Sequence, residues 1–566
     1  MYISNNKNYT KILQFYSVLF FAFFSISKST AQISIEIHTA KKIYVADSQM
    51  STVEAFAIQG GMIIQTGNLK EIQKKYNKAK IIYHKGYLYP GFIDAHCHFL
   101  AYCRGTKELN VFGVQSPSKI AKMAKKFAKK TKRFWIVGRG WDQNIWTNND
   151  FPTKEILDNQ LSKRPICLSR VDGHAVWINT KAIEVLHLNL DTIISGGEIV
   201  RDKMGKPTGV FVDNAADWIS AKIPKLDEET LANAVKKGLI QVYSNGLTTV
   251  DEAGLELTDI KFIEKLQKQG NFDLRVYAML SYNPDNIQYI LSQNQFFDHP
   301  TLNVRAMKFY LDGALGSRGA LLKHDYCDRN GHRGLQLLNM NDFELYSSVL
   351  LQKNYQVCVH AIGDSANSLV LKSFKKLIPN DVNLRWRIEH AQIVSPKEMK
   401  IFSEKNIIPS VQPTHATSDA PWALNRLCFD TLPHKFFPKN SPIHGAYAYK
   451  NLLSYSKILA LGTDFPVENI STLATFYSAT QRKDISGNLK DAFLPKQAIS
   501  RKDALLGMTL WAAYSNFEDH IKGSIETGKF ADFIEIDTDL LEAEPIAIQK
   551  SKIKQTYIQG KLVWEL

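Results

Sequence analysis

Between residues 88 and 464 short apolar runs recur, most of them closing on a polar residue, with longer mixed stretches between them. Eight runs read as strands: Leu88 to His96, Leu247 to Asp251, Leu274 to Leu280, Val304 to Tyr310, Gln356 to His360, Arg385 to His390, Ile407 to Gln412 and Ile458 to Asp464. Runs this short and apolar suit strands buried on both faces. The segments between them, such as Leu255 to Gln269 and Asp342 to Lys353, are long enough for helices. Strands alternating with helices predict a parallel sheet, and eight of them close most economically into an α/β (β/α)8 barrel of the TIM type. Chemistry in such barrels sits where the strands end, and there the chain places His96, His98, His360, His390 and Asp464.

A different pattern occupies the two ends. Val53 to Ile58 and Met62 to Gln65 alternate around Gly60-Gly61, and Gly523 to Gly528, Ala531 to Ile536 and Thr556 to Trp564 repeat the pattern at the far end. Short strands with glycine turns predict one small β-sandwich completed by both termini, residues 32–89 contributing one part and 511–566 the other. The barrel then occupies 90–510. Residues 99–245 are far too many for one βα connection, so they are assigned to a subdomain inserted over the barrel mouth.

Composition adds little to this picture. The chain of 566 residues has 70 Lys and Arg against 55 Asp and Glu, a formal charge of +15. Its densest basic run, Lys122 to Arg133, carries Ile120, Met123, Ala124, Phe127 and Ala128 at helical spacing, so the lysines read as the wet face of an amphipathic helix. No nucleic-acid-binding motif accompanies the charge, and no nucleic-acid partner is expected. The six cysteines lack Cys-x-x-Cys spacing and most read as buried small hydrophobes.

The first residues do change the picture. Lys7 and Lys11 precede an apolar run from Ile12 to Ile26, followed by Ser29-Thr-Ala31 with small residues at the positions a signal peptidase reads. Residues 1–31 are therefore expected to be a cleaved signal peptide, the run being short of the roughly 20 residues that span a bilayer comfortably. A secreted or periplasmic protein without a stable membrane anchor follows.

The candidate chemistry begins with His96 and His98. On a strand alternate side chains share a face, so the two imidazoles project together while Cys97 points away. Joined by His360, His390 and Asp464, they form the donor set that two adjacent divalent ions such as zinc require. Lys308, on the fourth strand, needs separate comment: an ammonium has no lone pair for a cation, so it either supports the ligands or is chemically altered.

These residues sit in longer motifs. Phe92-Ile-Asp-Ala-His-Cys-His98, Met307 to Arg318, His360-Ala-Ile-Gly-Asp364, Arg387-Ile-Glu-His-Ala-Gln392, Val411 to His415 and Leu461 to Glu468 resemble the amidohydrolase superfamily, in its N-substituted formamide deformylase-like, metal-dependent hydrolase branch. The likeness runs from about residue 34 to the end and includes Asp172-Gly-His174 and Gly196-Gly-Glu198. It implies that Lys308 is carboxylated by carbon dioxide to a carbamate bridging both metals. It also implies His96, His98 and Asp464 on one metal, with His360 and His390 on the other. Gly462-Thr463-Asp464 stands where Gly-Ser-Asp is common, an exchange that keeps the hydroxyl. The expected activity is hydrolysis of an amide-type C–N bond in a small molecule, Asp464 acting as base and then acid. Hydrolysis of an ester, cyclic amide or acylated amino acid uses the same apparatus, and a non-catalytic binding protein is the remote alternative.

Three further residues are candidates for substrate contact, each with a plainer reading. His174 is either a pocket residue or a satisfied buried histidine. His415 follows Gln412-Pro413 at the end of the seventh strand. Arg318 either binds an anionic group of the substrate or, near Asp312 and Asp325, makes a structural ion pair. Substrate identity and oligomeric state, a homo-oligomer included, stay open.

Overall fold

The computed structural model describes residues 34–380, 382–427 and 442–566; the expected leader and Cys428 lie outside them. Eight parallel strands form the barrel: β1 Phe92–Cys97, β2 Leu247–Leu255, β3 Arg275–Ser281, β4 Leu302–Tyr310, β5 Gln356–Ala361, β6 Arg387–His390, β7 Ile408–Val411 and β8 Ala460–Leu461. Nearly every residue in them is buried, which is why they read as continuous apolar runs. The ladder runs in sequence order from β1 to β8. Beyond the short β8, Asp464 N–H donates to the His96 carbonyl and His98 N–H to the Phe465 carbonyl, both at 2.7 Å, closing the ring between first and last strands. A side chain at Gly462 would meet His96 N at 2.5 Å, so only glycine permits this approach. Leu88 and Tyr89, assigned to the first strand from the sequence, belong instead to Tyr87–Pro90 in the terminal sheet.

The helices between strands bury one stripe each. Leu257–Lys268 packs Ile260, Ile263 and Leu266 inward, and Asp364–Leu377 packs Ala366, Val370, Leu371 and Phe374.

Both chain ends build one further body. Tyr87–Pro90 pairs antiparallel with Phe533–Ile536, joining N-terminal and C-terminal strands in a single eight-stranded sheet. The sheet curls around His38, Phe56, Phe533 and Tyr557, with Phe533 and Tyr557 stacked at 4.3 Å. Gly523 to Gly528 is not a strand: both glycines have positive φ, 89° and 91°, and the segment turns.

A buried polar chain crosses this body. His38 Nδ1 lies 2.9 Å from His84 Nε2, and His84 Nδ1 lies 3.0 Å from Glu535 Oε2. Burial, with the neighbouring His84 and Lys80, lowers the His38 pKa from 6.5 to about 3. A base that stays neutral when folded contributes stability above its unfolded pKa and loses it as pH falls toward the folded value. Between pH 6.5 and 3 the unfolded chain binds the extra proton, so stability should fall with acid by up to about 1.4 kcal/mol per pH unit from this group. Denaturant melts from pH 7 to 4.5 on wild type and His38→Phe should show a shallower pH slope in the variant; equal slopes would remove His38 from the account.

The insertion carries its own sheet of six strands, in the order Gly197–Arg201, Pro207–Asp213, Ala175–Ile178, Ile166–Arg170, Ile136–Trp141 and Leu109–Asn110. Trp141 and Trp177 fill its core on one face. The basic amphipathic helix Pro117–Ala128 buries Ile120, Ala121 and Ala124 there and turns its lysines outward. Helices Phe99–Gly105 and Glu228–Ser244, inside the span 99–245, pack on the barrel; Cys103 meets Gly238 between them. The inserted sheet itself therefore occupies residues 109–213.

Candidate metal centre

His96, His98, His360, His390, Lys308 and Asp464 converge at the C-terminal ends of the barrel strands. His96 is fully buried on β1, and His98 follows as the half-buried first cap of helix Phe99–Gly105. His96 Nε2 and His98 Nε2 lie 3.7 and 3.3 Å from Asp464 Oδ1. Across the ring, the His96 and His390 ring centroids are 4.8 Å apart and those of His390 and His360 4.5 Å apart. Ligand atoms of His96, His390 and Asp464 all fall within 4.8 Å of one another, a set able to hold a metal ion. This tight trio cuts across the two ligand sets that the family resemblance implied, since His390 shares it with His96 and Asp464.

Two of these ligands take unusual backbone geometry. His390 and Asp464 have φ of 70° and 59°, which non-glycine residues adopt at a cost. Local bonds hold Asp464 in place. Thr463 Oγ1 donates to Asp94 Oδ2 at 2.6 Å, Thr463 N–H donates to Asp94 Oδ1 at 2.9 Å, and Phe465 N–H donates to Thr463 Oγ1 at 3.1 Å. The threonine hydroxyl is thus a working part of the turn.

The imidazoles are oriented from behind. His96 Nδ1 lies 2.5 Å from Glu389 Oε2, and His390 Nδ1 lies 2.7 Å from Gln412 Oε1, leaving Nε2 of each toward the centre. Glu389 is held by the fully buried Arg387, which also pairs with Asp251 at 2.7 Å. Removing one member would leave a buried charge uncompensated. Burial, with neighbouring cations, holds His96, His360 and His390 well below the usual histidine range, in the neutral form that coordinates metal. For Asp464 burial works toward protonation, but the His98 hydrogen bond and the charges of His96, His98 and His415 prevail and hold it below the usual carboxylate range. Its buried Oδ1 has the Nε2 atoms of His96 and His98 as near neighbours, an acceptor placed to share a cation with them. Lys308 is completely buried, 3.3 Å from His96 Nε2 and over the Tyr310 ring; burial lowers its pKa to about 8. The donor set fits a divalent metal.

Above the centre opens a cavity of about 910 Å³, walled by the strand ends and the inserted sheet. His174 and His415 both line it. His174 Nδ1 lies 2.8 Å from Asp213, and its ring centroid is 5.0 Å from that of His360. Burial opposes its charge, yet the Asp213 hydrogen bond and charge raise its pKa to about 9. His415 stacks on His390 at 5.9 Å with Nε2 3.6 Å from Asp464. Arg318 does not line this cavity; its guanidinium pairs at 2.8 Å with Asp328, which is neither of the aspartates expected from the sequence. Cys358 is buried with Ala253, Tyr277, Met279 and Ala306 deeper in the barrel. Glu389, Gln412, Asp213 and Arg139, which lines the cavity, were not singled out from the sequence. The pair Arg387-Ile-Glu389 carried a usable signal, because two like-facing charges inside a barrel strand need partners.

The sequence model of the amidohydrolase family matches residues 85–564. The chain belongs to the amidohydrolase family. As an amidohydrolase it is similar to YtcJ of Bacillus subtilis (strain 168), 27% identical over 533 residues that cover 92% of this chain and 98% of that protein. N-substituted formamide deformylase of Arthrobacter pascens is 21% identical over 547 residues, covering 92% and 97%. Among solved structures, an uncharacterized metal-dependent hydrolase from Pyrococcus furiosus shares the fold with a TM-score of 0.70 at 24% identity, over 90% of this chain and 100% of that one. This amidohydrolase is thus an enzyme, a hydrolase with a metal-competent barrel mouth.

Proposed function

We propose that the protein is an exported amidohydrolase that cleaves an amide-type C–N bond in a small molecule, giving a carboxylic acid and an amine. The observation that carries this reading is the convergence of four imidazoles, Lys308 and Asp464 at one end of the barrel, with Asp464 Oδ1 facing the Nε2 atoms of His96 and His98. His96, His98 and Asp464 would hold one divalent ion, zinc by donor type, and His360 a second, with His390 near enough to both His96 and His360 to serve either ion. Lys308 would bridge them as a carbamate, formed when its neutral amine adds carbon dioxide and releases a proton. Bound there, such ions lower the pKa of coordinated water and polarise a carbonyl oxygen.

The chain's own residues do the rest. Asp464, ionised, takes the proton of the attacking water on a carboxylate oxygen and delivers it to the departing nitrogen. An amine leaves poorly without that proton. His174, its Nδ1 engaged by Asp213, offers Nε2–H to the substrate from the cavity wall. His415 beside Asp464 is a second substrate contact. Export rests on the N-terminal pattern of Lys7 and Lys11, an apolar run and Ser29-Thr-Ala31.

A panel of paired amides and esters tests the activity. Turnover of at least one amide class by the purified protein is expected; turnover of esters alone would shift the reading to an esterase. N-terminal sequencing of native material should begin near Gln32, and an intact Met1 would contradict export.

A further inference from the structure

Among the described residues the cavity wall carries two arginines, Arg139 and Arg170, and they differ sharply. Arg170 is buried and fully engaged: it pairs with Asp142 and Asp172 and donates to Gln143 Oε1 at 2.7 Å. Arg139, on strand Ile136–Trp141, is half-buried, makes no ion pair, and gives a single hydrogen bond, from one terminal nitrogen to the Val171 carbonyl at 3.1 Å. A guanidinium has five N–H donors in a planar fork, so among the described residues most of the fork of this cavity-lining arginine has no partner.

Arg139 lines the same cavity as Asp464, and burial works against its charge. Glu108 and Asp172 act on it from a distance, but Asp172 is bound to Arg170. The other carboxylates on the wall have partners of their own: Asp142 pairs with Arg170, Glu256 accepts from Asn283, Asp419 from Tyr447 and Glu468 from Ser418, while cationic His174 offsets the charge of the exposed Asp217. The wall also carries apolar side chains: Phe112, packed against Gly140 next to Arg139, is 49% exposed and Ile145 41% exposed, and Trp422 and Val467 line the same cavity.

Resting on the amide-hydrolase reading, we propose that Arg139 recognises a carboxylate on the substrate, so that the preferred substrates are amides bearing both a carboxylate and an apolar group, of the N-acyl amino acid type. The planar fork matches a carboxylate in two-point contact, and the apolar side chains of the wall cover the apolar part.

The test compares matched probes that differ only in charge, N-acetylphenylalanine and its neutral carboxamide, on metal-loaded wild type, Arg139→Met and Arg139→Lys. For Arg139→Met, KM for the carboxylate should rise about ten- to a hundredfold with kcat less affected, while the neutral probe is unchanged. Arg139→Lys should recover part of the loss, which a merely structural role would not predict. Metal content should stay at the wild-type level. Calorimetric binding of the carboxylate probe should weaken by the same factor in Arg139→Met, and this readout stands even if no amide is hydrolysed, so failure of the activity and failure of the recognition are separable. Equal preference for charged and neutral probes in wild type and Arg139→Met, in binding as in turnover, would overturn the proposal.

Discussion

Asp464→Asn should lower amide turnover by about two or more orders of magnitude while metal affinity falls only modestly. The substitution keeps the size of a side chain fitted between His98 at 3.3 Å and His415 at 3.6 Å, so the turn and its Thr463–Asp94 bonds should survive. What it removes is the basic carboxylate, and with it the route by which a proton reaches the leaving nitrogen. An activated ester, whose leaving group departs without a proton, should lose much less. Steady-state rates on a matched amide and activated ester, with metal counted in the same samples, check this. Near wild-type amide rates with full metal would rule out the proton-transfer role.

Lys308→Ala should cost the protein both metal and activity, with turnover down by about two orders of magnitude. Lys308 is fully buried at the centre, 3.3 Å from His96 Nε2, so no other described lysine could replace its nitrogen there. If a carbamate bridges two ions, a short carboxylate such as formate supplied in solution occupies the vacated space and should restore part of the metal content and rate. An alanine that merely damaged the fold would not respond to formate. Full metal and full activity in the variant would refute the bridging role.

The features legible in the sequence were those set by local pattern. Apolar runs mark barrel strands because those strands are buried on both faces, and the two-residue spacing of His96 and His98 survives into geometry even though His98 lies just past the strand end. The ends of the chain showed their strands but not that Tyr87–Pro90 would pair with Phe533–Ile536 across more than four hundred residues. Long-range partners were the illegible part. Arg318 looked free for a substrate until Asp328 appeared beside it, and nothing local in His174 announces Asp213, which reaches it only once two strands of the inserted sheet pair. The limits of the insertion blurred for a related reason: helix Glu228–Ser244 is amphipathic in either setting, and only its packing on β2 assigns it to the barrel.

The central claim is that hydrolysis depends on metal held by this constellation. Its most direct test is a titration: strip the purified protein with a chelator, add zinc back in measured amounts, and follow bound metal and amide turnover together. The account predicts an inactive apoprotein whose turnover rises with bound metal and levels off at two ions per chain. Undiminished amide turnover in protein shown to be metal-free would contradict it.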